Sequence, residues 1–264
     1  MRVTILGCGG SAGVPVIGGA DGRGEWGVCN PAEPRNRRSR ASIVIEARDR
    51  RRILVDTAPD LRGQLLACGV PRVDAIIFTH AHADHITGLD DVRILNRIVG
   101  RPIQALATAK TLDELRRRFD YAFRPWEPPG FFRPVLASRA VEPGETLPIA
   151  GLDVTVFEQD HGFSRTLGLR VGRFAYSTDV VDLAEPALLA LEGVHTWLVG
   201  CFQRALHPTH AGLERVIGWA GRVGARRTVL THMGTDMDWA WLRANLPAGV
   251  EPAHDGMILE VGDG

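Results

Sequence analysis

The sequence lacks the features that would send a chain to a membrane, to an oxidising compartment or onto a polyanion. Its 31 Lys and Arg residues balance 31 Asp and Glu, leaving a formal net charge of 0. No global field therefore draws it toward nucleic acid or lipid. No apolar run approaches the ~18 residues needed to span a bilayer. The opening Met1-Arg2-Val3-Thr4-Ile5-Leu6-Gly7 enters a strand-like run directly, without the basic and long apolar regions of a secretory signal. The four cysteines (Cys8, Cys29, Cys68, Cys201) are dispersed and form no CxxC pair. They read as small buried residues in a reduced, cytoplasmic setting. Internal repeats and low-complexity tracts are missing as well.

What is there reads as an ordinary globular chain, with 45% hydrophobic and 23% charged residues. Its 264 residues suit one α/β domain over 1–264 with a substantial core. Short β-rich runs alternate with helical patterns. Ala75-Ile76-Ile77-Phe78 and Thr228-Val229-Leu230 are continuously apolar, as strands buried on both faces are. Helices are expected over 84–99, 111–119 and 210–223, with Thr111 and Glu114 at capping-box spacing. The expected fold class is α/β, a layered αββα sandwich. Two segments fall outside that pattern. Residues 17–40 form a loop rich in Gly, Pro and Arg. Residues 120–134 are aromatic and Pro-rich, and suit a lid, a contact in a homodimer or a satellite hydrophobic cluster.

The strongest chemical signal is Thr79-His80-Ala81-His82-Ala83-Asp84-His85, between an apolar strand and an amphipathic helix. His80 and His82 are two apart, so an extended chain points both to one side. Asp84 and His85 are adjacent and project differently. Such a loop offers ligand pairs to two neighbouring points, in the imidazole and carboxylate chemistry that Zn²⁺ or Mn²⁺ accepts. One loop cannot complete two sites. Further candidates follow later strands: His161, Asp179 and His232, which can converge along one rim of an α/β fold.

The order HxHxDH, then His, then Asp, then His resembles the metallo-β-lactamase superfamily over nearly the whole chain. The resemblance implies that His80, His82 and His161 bind one metal, that Asp84, His85 and His232 bind another, and that Asp179 bridges them. Asp56, in Ile53-Leu54-Val55-Asp56-Thr57, resembles an aspartate that supports the ligands. Gly7-Cys8-Gly9-Gly10-Ser11-Ala12-Gly13-Val14-Pro15, Gly88-Leu89, Leu230-Thr231-His232 and Asp255-Gly256-Met257 narrow the likeness to the branch containing the phosphoribosyl cyclic phosphate phosphodiesterase. One departure stands out. Relatives carry several cysteines after the Gly-Val-Pro stretch for an accessory zinc. Here only Cys29 remains nearby, and Thr235 stands where a late His is expected, so the resemblance predicts no structural zinc.

Two metals can hold a nucleophilic hydroxide and neutralise phosphoryl oxygens, and the leaving oxygen then needs a proton. The branch places a general-acid His at a helix start, which His210 matches, with His207 in reserve. Arg38 and Arg40 offer a bidentate clamp for a second phosphate, or else belong to a solvated basic turn or an ion-paired loop. The expectation is a hydrolase with catalytic His210, Asp84 and Asp179, acting on a small phosphodiester, including a cyclic one. Its partner is that small molecule, with no extended nucleic-acid or membrane surface. Three alternatives share the metal motif: a tRNA-3′-processing nuclease, a thioesterase or lactonase, and a non-catalytic accessory protein of cofactor biosynthesis.

Overall fold

A computed structural model describes residues 1–262. Two seven-stranded sheets organise it. The first is built from β1 (Arg2–Gly7), β2 (Ser42–Glu46), β3 (Arg52–Val55), β4 (Ala75–Ile77), β5 (Ile103–Ala107) and β6 (Leu136–Ala140) in sequential order. The second runs β7 (Thr146–Ile149), β8 (Leu152–Asp160), β9 (Arg165–Val171), β10 (Phe174–Ser177), β11 (Thr196–Gly200), β12 (Arg227–Thr231) and β13 (Val250–Pro252). The last strand, β14 (Ile258–Glu260), returns to the edge of the first sheet beside β1. In each sheet antiparallel pairings give way to parallel ones: after β3 in the first and after β10 in the second.

Alternation along the strands explains the layering. Ile43, Ile45, Ile53, Val55 and Ile77 join the core between the sheets, against Val154, Val156, Tyr176 and Leu198. The intervening Val44, Leu54, Ile76 and Phe78 belong to a second core on the outer face. Helices α1 (Leu61–Ala67), α3 (Val92–Val99) and α4 (Ala109–Arg118) cover that face through Leu61, Leu95, Leu112 and Leu115. Helices α5 (Glu185–Leu191) and α6 (Leu213–Val223) contribute Leu188, Leu191 and Val216 on the other side, and α7 (Trp239–Asn245) adds Leu242. The αββα sandwich expected from the apolar runs is present. Among the described residues no helix is long and apolar enough to cross a membrane.

Several local expectations are corrected. The helix expected over 84–99 is broken into α2 (Ala83–Ile86), a 3₁₀ turn Thr87–Asp91 and α3. Gly88 causes the break. Its N–H donates to Thr57 O, and a Cβ there would sit 2.0 Å from Ala58 O. The cap of α4 is Thr108, whose hydroxyl accepts from Thr111 N; Thr111 lies inside the helix. Helix α6 starts at Leu213, so His207 and His210 occupy the preceding loop. Strands β6, β7 and β13 were not expected. Edge positions explain the last two, because Pro148 and Pro252 are tolerated only where a ladder N–H is dispensable.

Segment 120–134 packs on itself and on α3. Arg133 donates to Tyr121 O at 2.8 Å and to Arg124 O at 3.0 Å, and the Trp126 and Phe132 rings lie 5.2 Å apart. The groove it forms is lined by Asn96, Arg97, Pro102 and Val135 and contains none of the His or Asp residues singled out above. The packing is that of the satellite hydrophobic cluster.

Candidate metal centre

Three strands deliver side chains to one rim by leaving the sheet through a left-handed residue. Asp56 follows β3 with φ 64°, Asp179 follows β10 with φ 48°, and His232 follows β12 with φ 54°. Non-glycine residues in this region are each destabilised by about 1–3 kcal/mol, and such strain gathers at functional sites. The two sheets are joined at the same rim, where Leu167 N donates to Thr79 O (3.0 Å) and Met233 N to Cys8 O (2.8 Å). The loop after β4 then enters α2, with His82 as N-cap. That turn directs His80 and His82 to one side and Asp84 and His85 to the other.

All seven residues singled out as ligands converge. His80, His82, His161 and Asp179 form one group, and Asp84, His85, Asp179 and His232 the other; within each, ligand atoms lie within 4.8 Å of one another. Asp179 belongs to both groups. Its Oδ2 is 3.1 Å from His85 Nε2, and its Oδ1 is 3.4 Å from His232 Nε2 and 3.7 Å from His161 Nε2. Nε2 of His80, His85 and His232 is buried without a hydrogen-bond partner among the described residues. Several nitrogens and carboxylate oxygens are thus close together but out of line for hydrogen bonds. Such buried polar atoms need partners, and divalent cations fit this donor set.

Hydrogen bonds aim the rings. Asp56 accepts from Thr79 N (2.8 Å), Thr79 Oγ1 (2.8 Å) and His85 Nδ1 (2.7 Å). With its proton given to Asp56, Thr79 Oγ1 accepts from His80 Nδ1 at 3.0 Å. His161 Nδ1 donates to Thr209 O at 2.7 Å. In each case Nδ1 carries the proton and Nε2 faces the cluster.

The electrostatics of the cluster's own side chains follow from its density. Burial opposes a charged Asp179, but His232, His85 and His80 outweigh it and hold the carboxyl well below the usual range. Burial likewise disfavours a charged His85, but Asp179 and Asp56 prevail and raise its pKa well above the ordinary value. His80, buried beside His85, is pushed far down.

His210 borders the cluster. Its ring stacks on His232 (centroids 4.9 Å, 24°) and packs 4.8 Å from His161 and 5.1 Å from Phe202. Its Nδ1 lies 3.9 Å from Asp179 Oδ1. Burial, then the charge of His232, lowers its pKa to about 3. His207 sits behind it, 5.1 Å away against Phe202, and does not line the central pocket. Phe202 and Thr209 were missed in the sequence. The only cue was Thr209 lying between His207 and His210.

The substrate clamp expected of Arg38 and Arg40 gives way to the alternative of a loop bonded to the protein. Arg38 is buried, and its guanidinium donates to Met237 O (2.6 Å), Gly234 O (3.2 Å) and Asn36 Oδ1 (3.2 Å). Arg40 Nε pairs with Asp60 Oδ2 at 2.9 Å. Both are committed to protein partners, because their short spacing from β2 docks them beneath the loop. Asn36 Nδ2 also donates to Asp238 Oδ2 (2.7 Å), and Cys29 Sγ to Thr235 O (3.3 Å). These bonds order the 17–40 loop against the segment after β12.

The family model of the beta-lactamase superfamily domain matches residues 51–233, which carry all seven cluster residues. The chain belongs to the metallo-β-lactamase superfamily. Within it, the chain resembles a diphosphatase from the PhnP family: 33% identity, TM-score 0.88, covering 99% of this chain and 98% of that one. The Zn²⁺-bound PqqB of Methylobacterium extorquens shares the fold at 21% identity and TM-score 0.72, over 99% of this chain and 100% of that one. An octanoyltransferase of Porphyromonas gingivalis is 34% identical over 234 residues, 88% of this chain but 46% of that protein. The chain thus spans less than half the length of that curated relative.

Proposed function

We propose that the chain is a dinuclear metal-dependent phosphoric ester hydrolase acting on a small substrate, with His210 as general acid. The observation that carries this reading is the sharing of Asp179 between two four-residue groups, with His210 stacked on one ligand. His80, His82, His161 and Asp179 would hold one ion, and Asp84, His85, His232 and Asp179 the other. When bound, two such ions supply a nucleophile from water near neutral pH and neutralise phosphoryl oxygens.

The chain's own groups do the rest. Asp56, Thr79 and Thr209 hold the imidazoles at fixed tautomers, so that the donor set needs no rearrangement. His210 is neutral in the free site. An anionic phosphate beside it favours its charged form, which loads the proton that the departing oxygen receives. The central pocket, lined by Ser11, His82, Asp84, His161, Phe163, Asp179 and His210, has a volume of about 250 Å³. That suits a small phosphoryl group. Likeness to a PhnP-family diphosphatase, at 33% identity over 99% of this chain and 98% of that one, supports phosphorus chemistry.

The test is metal analysis of the purified protein, then a panel of bis-p-nitrophenyl phosphate, a nucleoside diphosphate sugar, a thioester and a lactone. About two ions per chain and turnover of the phosphoric esters are expected. Turnover of the thioester or lactone alone would sink the proposal.

A further inference from the structure

The central pocket adjoins, across the shared walls of His82 and Ser164, a second cavity of about 460 Å³. His80 and His82 form its inner wall, the start of α4 one side, and Ser164–Leu167 of the β8–β9 hairpin the other. A substrate held at the cluster would extend into this cleft.

Charges in the cleft are unequally engaged. Arg118 donates to Ala81 O (2.6 Å) and pairs with Glu114 (3.1 Å). Arg165 pairs with Asp160 (2.8 Å) and lies 3.7 Å from Glu158. Lys110 lines the same cleft, exposed, in the first turn of α4, with no hydrogen bond or ion pair among the described residues. It is also the only lysine in the chain. Glu142 is the remaining carboxylate on the wall and has no ion pair there. One unpaired cation and one unpaired carboxylate on the walls of the same cavity suit a group that carries both phosphate and hydroxyls. An ammonium on a flexible stem can follow such a phosphate, and the positive end of α4 adds to the attraction.

We infer that Lys110 binds a second, non-reacting phosphoryl group, so that the preferred substrate is a diphosphate-linked ester with a hydroxylated moiety. This rests on the phosphoric ester reading above. Lys110 takes the place that the arginines at 38 and 40 cannot fill, because those are tied to the protein.

Two experiments on the metal-loaded protein test it. The first compares kcat/KM for ADP-ribose and for bis-p-nitrophenyl phosphate, which has no second phosphate. Lys110→Ala should lower the ratio of the two about tenfold, and Lys110→Arg should restore most of it. An unchanged ratio, or wild-type protein that hydrolyses only the monophosphate diester, overturns the inference. The second uses the uniqueness of Lys110. Pyridoxal 5′-phosphate with borohydride should label it, as read by peptide mass spectrometry. α,β-Methylene-ADP should protect Lys110, and AMP should protect it less. Equal labelling with and without the analogue overturns the contact without reference to turnover. If neither ADP-ribose nor bis-p-nitrophenyl phosphate is turned over, the phosphoric ester reading fails, and the labelling result still decides whether Lys110 meets a second phosphate.

Discussion

Asp56 Oδ2 lies 2.7 Å from His85 Nδ1, and neither side chain is exposed to solvent. The same carboxylate holds Thr79, which in turn holds His80. One residue outside the cluster thus sets the tautomer of a histidine in each of its halves. Asp56→Asn keeps the size and the tolerance of a left-handed φ, but replaces the charged acceptor. Metal affinity should fall about 10–100-fold, read by competition with a chromophoric chelator. Unchanged affinity would remove Asp56 from the metal machinery.

The raised proton affinity of His85 gives a pH dependence. Asp179 and Asp56 overcome burial and raise its pKa, so the metal-free form is protonated well above the usual imidazole range. A cation taking Nε2 must displace that proton. The free form then binds more protons than the loaded form, so metal affinity rises with pH and falls on acidification. Calorimetric titration in two buffers of different ionisation enthalpy should show net proton release. Uptake of protons would contradict the assignment of His85.

For His210, the leaving group is the discriminator. His210→Ala should slow esters with poorly acidic leaving groups by about 10²–10⁴. p-Nitrophenolate, which departs without a proton, should be affected far less. Equal losses on both would leave His210 a packing residue between His232 and Phe202.

Arg38 should behave as a structural residue. Arg38→Ala leaves the carbonyls of Gly234 and Met237 buried without their donor, at a cost of about 3 kcal/mol and a fall in Tm on the order of 10 °C. The KM for bis-p-nitrophenyl phosphate should hold. A raised KM at unchanged Tm would return Arg38 to the substrate.

By itself the sequence determined the layered α/β fold and the membership of the cluster. Apolar strands with both faces buried are visible as uninterrupted runs such as 75–78. Metal-ligating side chains have few chemical substitutes, so their types and order survive as a readable motif. The tertiary structure decided everything that depends on direction and competition. It broke the helix over 84–99, because docking on Ala58 leaves room only for Gly88. It turned Arg38 inward, because backbone carbonyls of a segment 196 residues away claimed its donors. It also made Lys110 the unpaired cation of the cleft, because each neighbouring arginine found a carboxylate first. Which charges remain free is a property of three-dimensional neighbours, and linear spacing carries no record of it.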